Sequence, residues 1–268
     1  MLDTSPMSIH HIKAIDVHAH YGTMDFRDNE LHNRCSSADA PTVLQRSLDS
    51  NIQYTIVSPM WGLARSCDAV AANEEAAGIV AETEGMLQWV IIDPRIKETY
   101  EQAERMLQLP KCVGIKVHPE SHHYYMVDHA RAIFEFAARR QTIVLTHSGC
   151  LHSLPEEMIP FANDFPEMTL ILAHIGNGYD EDHTHQARAI QASKHGNVYA
   201  DSSSAQNIIP GVLEWTVKET GAERILFGTD TPVYSVPMQR ARVDHAEFSD
   251  QEKRIILRDN AMKLFGLE

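Results

Sequence analysis

The 268-residue chain lacks any run approaching the roughly eighteen apolar residues that a membrane crossing needs, and Met1 to His11 lacks the basic-then-apolar pattern of a secretory leader. These absences predict a cytoplasmic protein with no membrane partner. Basic residues are few, 23 Lys and Arg against 37 Asp and Glu, and the net charge of −14 disfavours a phosphate backbone as partner. With no basic or aromatic stripe either, nucleic acid is not an expected ligand. Cysteine is sparse, and Cys35, Cys67, Cys112 and Cys150 show neither zinc-ribbon nor redox-pair spacing. They read as reduced, mostly buried thiols. No low-complexity window, charge block or Gly/Ser-rich linker divides the chain, so a single domain over residues 1–268 is expected.

What the chain does have is a recurring unit: a short β-branched run, a polar or Gly/Pro break, then a helical stretch. The runs are Ile12 to Val17, Gln53 to Ser58, Met86 to Ile92, Cys112 to Val117, Thr142 to Thr146, Met168 to Ala173, Asn197 to Asp201 and Arg224 to Gly228. They recur about every thirty residues, the size of a βαβ repeat. Between them, Asp93-Pro94 reads as the cap of a helix carrying Tyr100, Ala103, Met106 and Leu107. Val127 to Arg140 has a helical apolar stripe, and Ser249 to Phe265 ends the chain in the same way. Eight such units predict an α/β fold, either a (β/α)8 TIM barrel or a doubly wound open sheet. The ionisable residues favour the barrel, because they gather at the carboxyl ends of the strands, where barrel chemistry is found.

Sixteen histidines make metal or acid–base chemistry the first question to ask. The first strand runs into Asp16-Val17-His18-Ala19-His20, whose two-residue spacing turns both imidazoles to one side, as chelation of one ion requires. Lys116 and His118 follow the fourth run, His147 the fifth, His174 the sixth, Asp201 the seventh and Asp230 the eighth. A single histidine after a strand is more often a hydrogen-bonding group than a ligand, but five strands ending in the same way weaken that bland reading. Asp201 reads equally well as a helix cap or a substrate contact. His10, His11, His183, His185 and His195 read as surface residues.

The phrases Asp16-Val17-His18-Ala19-His20, Gly114-Ile115-Lys116-Val117-His118-Pro119, Thr146-His147-Ser148-Gly149, Ala173-His174-Ile175-Gly176, Phe227-Gly228-Thr229-Asp230 and Asn260-Ala261-Met262-Lys263-Leu264-Phe265-Gly266-Leu267 occur in that order. Together they resemble the amidohydrolase superfamily, in its amidohydrolase-2 branch of metal-dependent barrel hydrolases and nonoxidative decarboxylases such as aminocarboxymuconate-semialdehyde decarboxylase. The resemblance implies one divalent metal held by His18, His20, His147 and Asp230, with His174 and Asp230 as the catalytic pair. Such donors suit zinc first, and iron, manganese or cobalt as well. Asp16 would orient the ligands without joining them. In some superfamily members a carbamylated lysine at the end of strand four bridges two metals; charge logic here favours one metal, with Lys116 and His118 contacting an anionic substrate.

Arg95 is a further candidate for a substrate carboxylate, although an exposed arginine at a helix start is the commoner outcome. Cys150, three residues past His147, has no base indicated by spacing and reads as a packing thiol. His122 to Tyr125, Met60 and Trp61 are candidate pocket walls, and the loops Tyr21 to Asp39 and Thr231 to Glu247 are long enough for lids. The expected activity is hydrolysis of an amide, ester or lactone of a small carboxylate-bearing molecule by metal-activated water. The alternatives are nonoxidative decarboxylation with the same constellation and a barrel that binds a ligand without chemistry. A homodimer is only the prior expectation for soluble enzymes.

Overall fold

Eight parallel strands in sequential order, each returning through helical structure, make up a computed structural model that describes residues 11–25, 28–64 and 68–267. They are β1 (Ala14–Tyr21), β2 (Ile52–Pro59), β3 (Met86–Ile91), β4 (Cys112–Val117), β5 (Ile143–Thr146), β6 (Thr169–Leu172), β7 (Val198–Asp201) and β8 (Ile225–Leu226). Each coincides with one of the eight β-branched runs. Beyond the two residues of β8 the chain continues along β1: Val17 N–H donates to Phe227 O, Asp230 N–H to His18 O and His20 N–H to Thr231 O. The ring is thereby closed as a TIM barrel and an open sheet is excluded.

Two apolar layers follow from strand alternation. Ile15, Val17, Ile56, Leu87, Trp89, Leu145, Ile171 and Leu226 fill the barrel, while Ile115, Val117, Val144, Leu170 and Leu172 face the helices, meeting Ile133, Phe134 and Ala137 of the helix Met126–Arg140. Trp89 is fully buried, donates from Nε1 to Val17 O at 2.8 Å and meets Phe265 edge-on, so the C-terminal helix Asn260–Phe265 packs on the barrel core. Gly114 leaves the room this needs, since a Cβ there would lie 2.5 Å from the Trp89 ring.

Several local expectations are corrected. Asp93 caps no helix; the helix Lys97–Met106 begins after Ile96, and Asp93 instead grips Arg95 through Nε at 2.9 Å and Nη2 at 2.6 Å. The C-terminal stretch starts at a Ser249–Glu252 capping box but widens to a π-helix over Ile255–Asp259, which buries Ile256 and Leu257, with Ile255, Met262 and Leu264 packed against the core. Cys112 is buried, Cys150 half-buried and Cys35 exposed. His10 and Cys67 lie outside the described residues. Each of the two long loops carries a helix, Glu30–Cys35 in the first and Val236–Asp244 in the second. Among the described residues no helix is long and apolar enough to cross a membrane.

His185 is not a surface residue. It is buried, with Nδ1 2.9 Å from Glu156 Oε1 and Nε2 2.9 Å from Asp180 Oδ1, and it ties the loop after β6 to the helix Pro155–Asp164. Burial pushes its imidazolium down, but the bonds to Asp180 and Glu156 outweigh that and the net shift is upward. A raised folded-state value means the stabilisation is complete below the unfolded value near 6.5 and is lost as pH rises through the folded value. In a comparison of His185→Gln with the wild type by thermal melts, the wild-type advantage is expected to be about 0.5–1 kcal/mol at pH 5.5 and to vanish by pH 9, solvent screening at the two carboxylates keeping it small. An advantage that grows with pH would contradict the charge bridge.

Candidate metal centre

β1 carries one extra residue against β2: Asp16 pairs with Thr55 but Ala19 with Val57. This bulge resets the alternation, so that Ile15 and Val17 point into the barrel core and His18 and His20 still turn to the site at its mouth. Asp16 holds the bulge in place. It is fully buried, accepting the backbone N–H groups of His18 and Thr229 on Oδ1 and the Thr229 hydroxyl on Oδ2 at 2.6 Å. Burial pushes its carboxyl up to about 7 against those bonds. It orients β1 and the chain after β8, and is not a member of the chelating groups.

At the strand ends His20 Nε2 lies 3.2 Å and His18 Nε2 3.7 Å from Asp230 Oδ1, so three donor atoms face a common point. Their outer contacts set the tautomers. His20 Nδ1 meets the Ser58 carbonyl at 3.2 Å and can only donate to it, and His18 Nδ1 donates to Asp201 Oδ2 at 2.9 Å. Both Nε2 atoms therefore carry the lone pair that a divalent cation requires, His20 Nε2 nearest Asp230 and His18 Nε2 also met by Lys116 Nζ at 2.7 Å. Burial, with Lys116 second, keeps both imidazoles neutral, His20 down at about 3. Two neutral imidazoles and a carboxylate fit a divalent ion of intermediate hardness.

Asp201 is the buried anchor of this arrangement rather than a helix cap. Besides His18 it accepts His174 N–H at 3.1 Å, Ser203 N–H at 3.0 Å and the Ser203 hydroxyl. Burial alone would raise its carboxyl, but the His18, His174 and Ser203 contacts together outweigh burial and hold it well below the usual range. Ser203 Oγ also lies 3.0 Å from His18 Nδ1 and 2.9 Å from His174 Nδ1. Gly228 leaves space for this crowding, since a Cβ there would meet His18, Ser203 and Asp201 at 3.0 to 3.2 Å.

His174 turns Nδ1 to the Ser203 carbonyl at 2.9 Å, so Nδ1 carries the proton and Nε2 presents a lone pair. That lone pair accepts from His147 Nδ1 at 3.1 Å. Burial holds His174 down at about 4. Both His174 and Asp230 sit at positive φ, 71° and 55°, a strained conformation for residues with side chains and one found at functional sites.

The remaining candidates are placed as follows. Lys116 is fully buried with Nζ 2.7 Å from His18 Nε2, its ammonium pushed down to about 8 by burial against the pull of Asp230 and Asp201. His118 stacks on His147 with ring centres 4.5 Å apart. His147 stands outside the compact His18–His20–Asp230 group, and its Nε2 faces Cys150 Sγ at 3.2 Å. Cys150 thus has an imidazole partner that spacing did not indicate, with Asn177 Nδ2 at 3.5 Å. Arg95 is engaged by Asp93 and lies over the Tyr124 ring, away from the site cavity. That cavity, of about 740 Å³, is lined by His18, His20, His118, His147, His174 and Asp230, with Met60, Cys150, Asn177 and Tyr234 among its walls. Of the other wall candidates His123 lines it, while Trp61 bonds Glu75 and His122 bonds Gly62 O. Ser58 and Ser203 went unread in the sequence, where only the Ser202-Ser203-Ser204 run after Asp201 hinted at them.

The amidohydrolase family model (Amidohydro_2) matches residues 15–267, nearly the whole chain. The chain belongs to the amidohydrolase family. Comparison with curated proteins gives no match. Among solved structures, this amidohydrolase is similar to a 2,6-dihydroxybenzoate decarboxylase complexed with 2,6-dihydroxybenzoate, at 14% identity over 95% of this chain and 98% of that one with a TM-score of 0.74. It is also similar to a dihydroxybenzoic acid decarboxylase from Polaromonas sp. JS666 with bound manganese and the inhibitor 2-nitroresorcinol (16%; 95% and 97%; 0.72). A third likeness is 5-carboxyvanillate decarboxylase from Sphingomonas paucimobilis (13%; 96% and 100%; 0.69). At these identities the shared property is the barrel, and the amidohydrolase centre described above stands on its own geometry.

Proposed function

We propose that this amidohydrolase-family protein is a metal-dependent nonoxidative decarboxylase of a small aromatic or unsaturated acid. The observation that carries the reading is a chelating His18–His20–Asp230 group beside a lone-pair-bearing His174 at one cavity. The full-length likeness to decarboxylases, one of them holding manganese, supports it over the hydrolysis expected from sequence. It also makes manganese as strong a candidate as zinc. His18, His20 and Asp230 would hold the ion, with His147 a fourth donor once its proton moves from Nδ1 to Nε2, which faces Cys150 Sγ. When bound, the ion supplies positive charge that binds and polarises the oxygens of an acid.

The protein's own groups account for the proton. Loss of carbon dioxide breaks a carbon–carbon bond, leaves its electron pair on the substrate carbon and requires one proton there, with no water consumed. His174 Nε2 takes a proton from a substrate hydroxyl and, because burial makes its protonated form a strong acid, returns it to that carbon. Solvent then reprotonates the hydroxyl oxygen. Asp201 and Ser203 keep the His174 backbone and ring in register during the transfer. His118 supplies a donor group for an anionic substrate at the cavity wall, and Lys116, buried against His18, adds positive charge behind the site.

The test is a panel of hydroxylated benzoates and unsaturated acids given to protein loaded with manganese or zinc. Carbon dioxide release, with one deuteron at the vacated carbon in heavy water, is the expected outcome. Turnover of amides, esters or lactones with no carbon dioxide from any acid would return the assignment to hydrolysis. Saturating metal with no turnover of either panel would favour a barrel that only binds.

A further inference from the structure

The cavity wall after β4 carries a donor whose proton is fixed by the backbone. Ser121 N–H donates to His118 Nδ1 at 3.2 Å, and an amide hydrogen aimed at that nitrogen requires a lone pair there. The ring proton of His118 therefore sits on Nε2. Stacking on His147 at an interplanar angle of 12° fixes its plane, and Pro119 directly follows it at the start of the turn Pro119–His122. Nε2 stands 3.4 Å from Ser121 Oγ, near the outer limit for a hydrogen bond, and both residues line the cavity.

We infer that His118, locked by Ser121 as its Nε2–H tautomer, is the specificity-determining donor of the cavity, selecting substrates that place a carboxylate or phenolate oxygen against this wall. Nε2–H gives one bond to that oxygen and the Ser121 hydroxyl a second. A cationic amine in the same place would meet a hydrogen already pointing at it, with no acceptor from His118, and is rejected. Only the choice of an acid as probe rests on the decarboxylase reading; the tautomer and the donor role rest on the Ser121–His118 geometry.

The experiment uses the manganese-loaded full chain with 2,6-dihydroxybenzoate as probe and benzylamine as the cationic control, binding being measured by calorimetry. Nitrogen NMR of the zinc-loaded protein, assigned by difference from His118→Gln, reads the tautomer. Wild-type His118 is expected as Nε2–H. His118→Phe, which keeps a flat ring and loses the donor, is expected to bind the probe about ten- to a hundredfold more weakly at unchanged metal content. Ser121→Pro removes the orienting N–H and is expected to give a mixture of tautomers with weakened binding, while Ser121→Ala keeps the tautomer. Should His118→Phe fail to fold, the tautomer and the Ser121→Pro affinity decide alone. The inference is overturned by an Nδ1–H tautomer, by undiminished affinity in His118→Phe or Ser121→Pro, by binding of benzylamine as tight as that of the acid, or by a wild type that ignores the acid. In the last case the decarboxylase reading is still judged separately, by carbon dioxide release across the wider panel.

Discussion

His18→Ala and Asp230→Ala are expected to come through purification with less than about a tenth of the wild-type metal and with turnover down by more than about a thousandfold, whereas His174→Ala keeps its metal and loses about a hundred- to ten-thousandfold in turnover. The split follows from what each side chain touches. His18 and Asp230 bring donor atoms together, so removing either dismantles the proposed cation site. His18 also anchors Asp201 and Lys116, and its loss leaves two buried charges without a principal partner. His174 aims Nδ1 at Ser203 O and Nε2 at His147, so its loss removes the proposed proton carrier and spares the His18–His20–Asp230 group. His147→Ala, outside that group, is expected to lose less metal than His18→Ala. Elemental mass spectrometry of protein prepared without chelator, paired with carbon dioxide release, checks all four variants. Full occupancy in His18→Ala would refute the chelating assignment.

Asp201→Asn is expected to weaken metal binding by about ten- to a hundredfold although Asp201 lies outside the His18–His20–Asp230 group. An amide of the same shape keeps one acceptor oxygen but presents an N–H₂ group where the carboxylate now accepts from His18 Nδ1, His174 N–H and Ser203. At least one of these bonds is lost or opposed, and the His18 tautomer then rests on the Ser203 hydroxyl, a weaker acceptor than the carboxylate. Chelator competition on the folded variant measures the effect. Its signature is weakened affinity at unchanged stoichiometry, which distinguishes an orienting residue from a ligand. Affinity equal to the wild type would show that His18 holds its tautomer without Asp201.

The sequence by itself determined eight strand–helix units, because β-branched runs at a βαβ interval admit few other arrangements, and each run became a strand; the runs left a barrel and an open sheet both possible, and only the ionisable residues at the strand ends favoured the barrel. It also identified the residues of the mouth, since ionisable groups at strand ends have no packing role to explain them. It left open which of those residues converge. His18 and His20 share a side because of local spacing, but their aim at Asp230 depends on a bulge that Asp16 holds across the ring with Thr229, 213 residues away. The tautomers of His18, His20 and His174 come from Asp201, the Ser58 carbonyl and the Ser203 carbonyl, each on another strand or the chain just beyond it. His185 and the Asp93 cap failed as local readings for the same reason: Glu156 with Asp180 buries the one, and Arg95 claims the other. Spacing along the chain fixes which side a residue faces. Only closure of the ring decides which atom of that residue holds a proton and which meets a partner, because hydrogen bonds between distant segments exist only once those segments are packed.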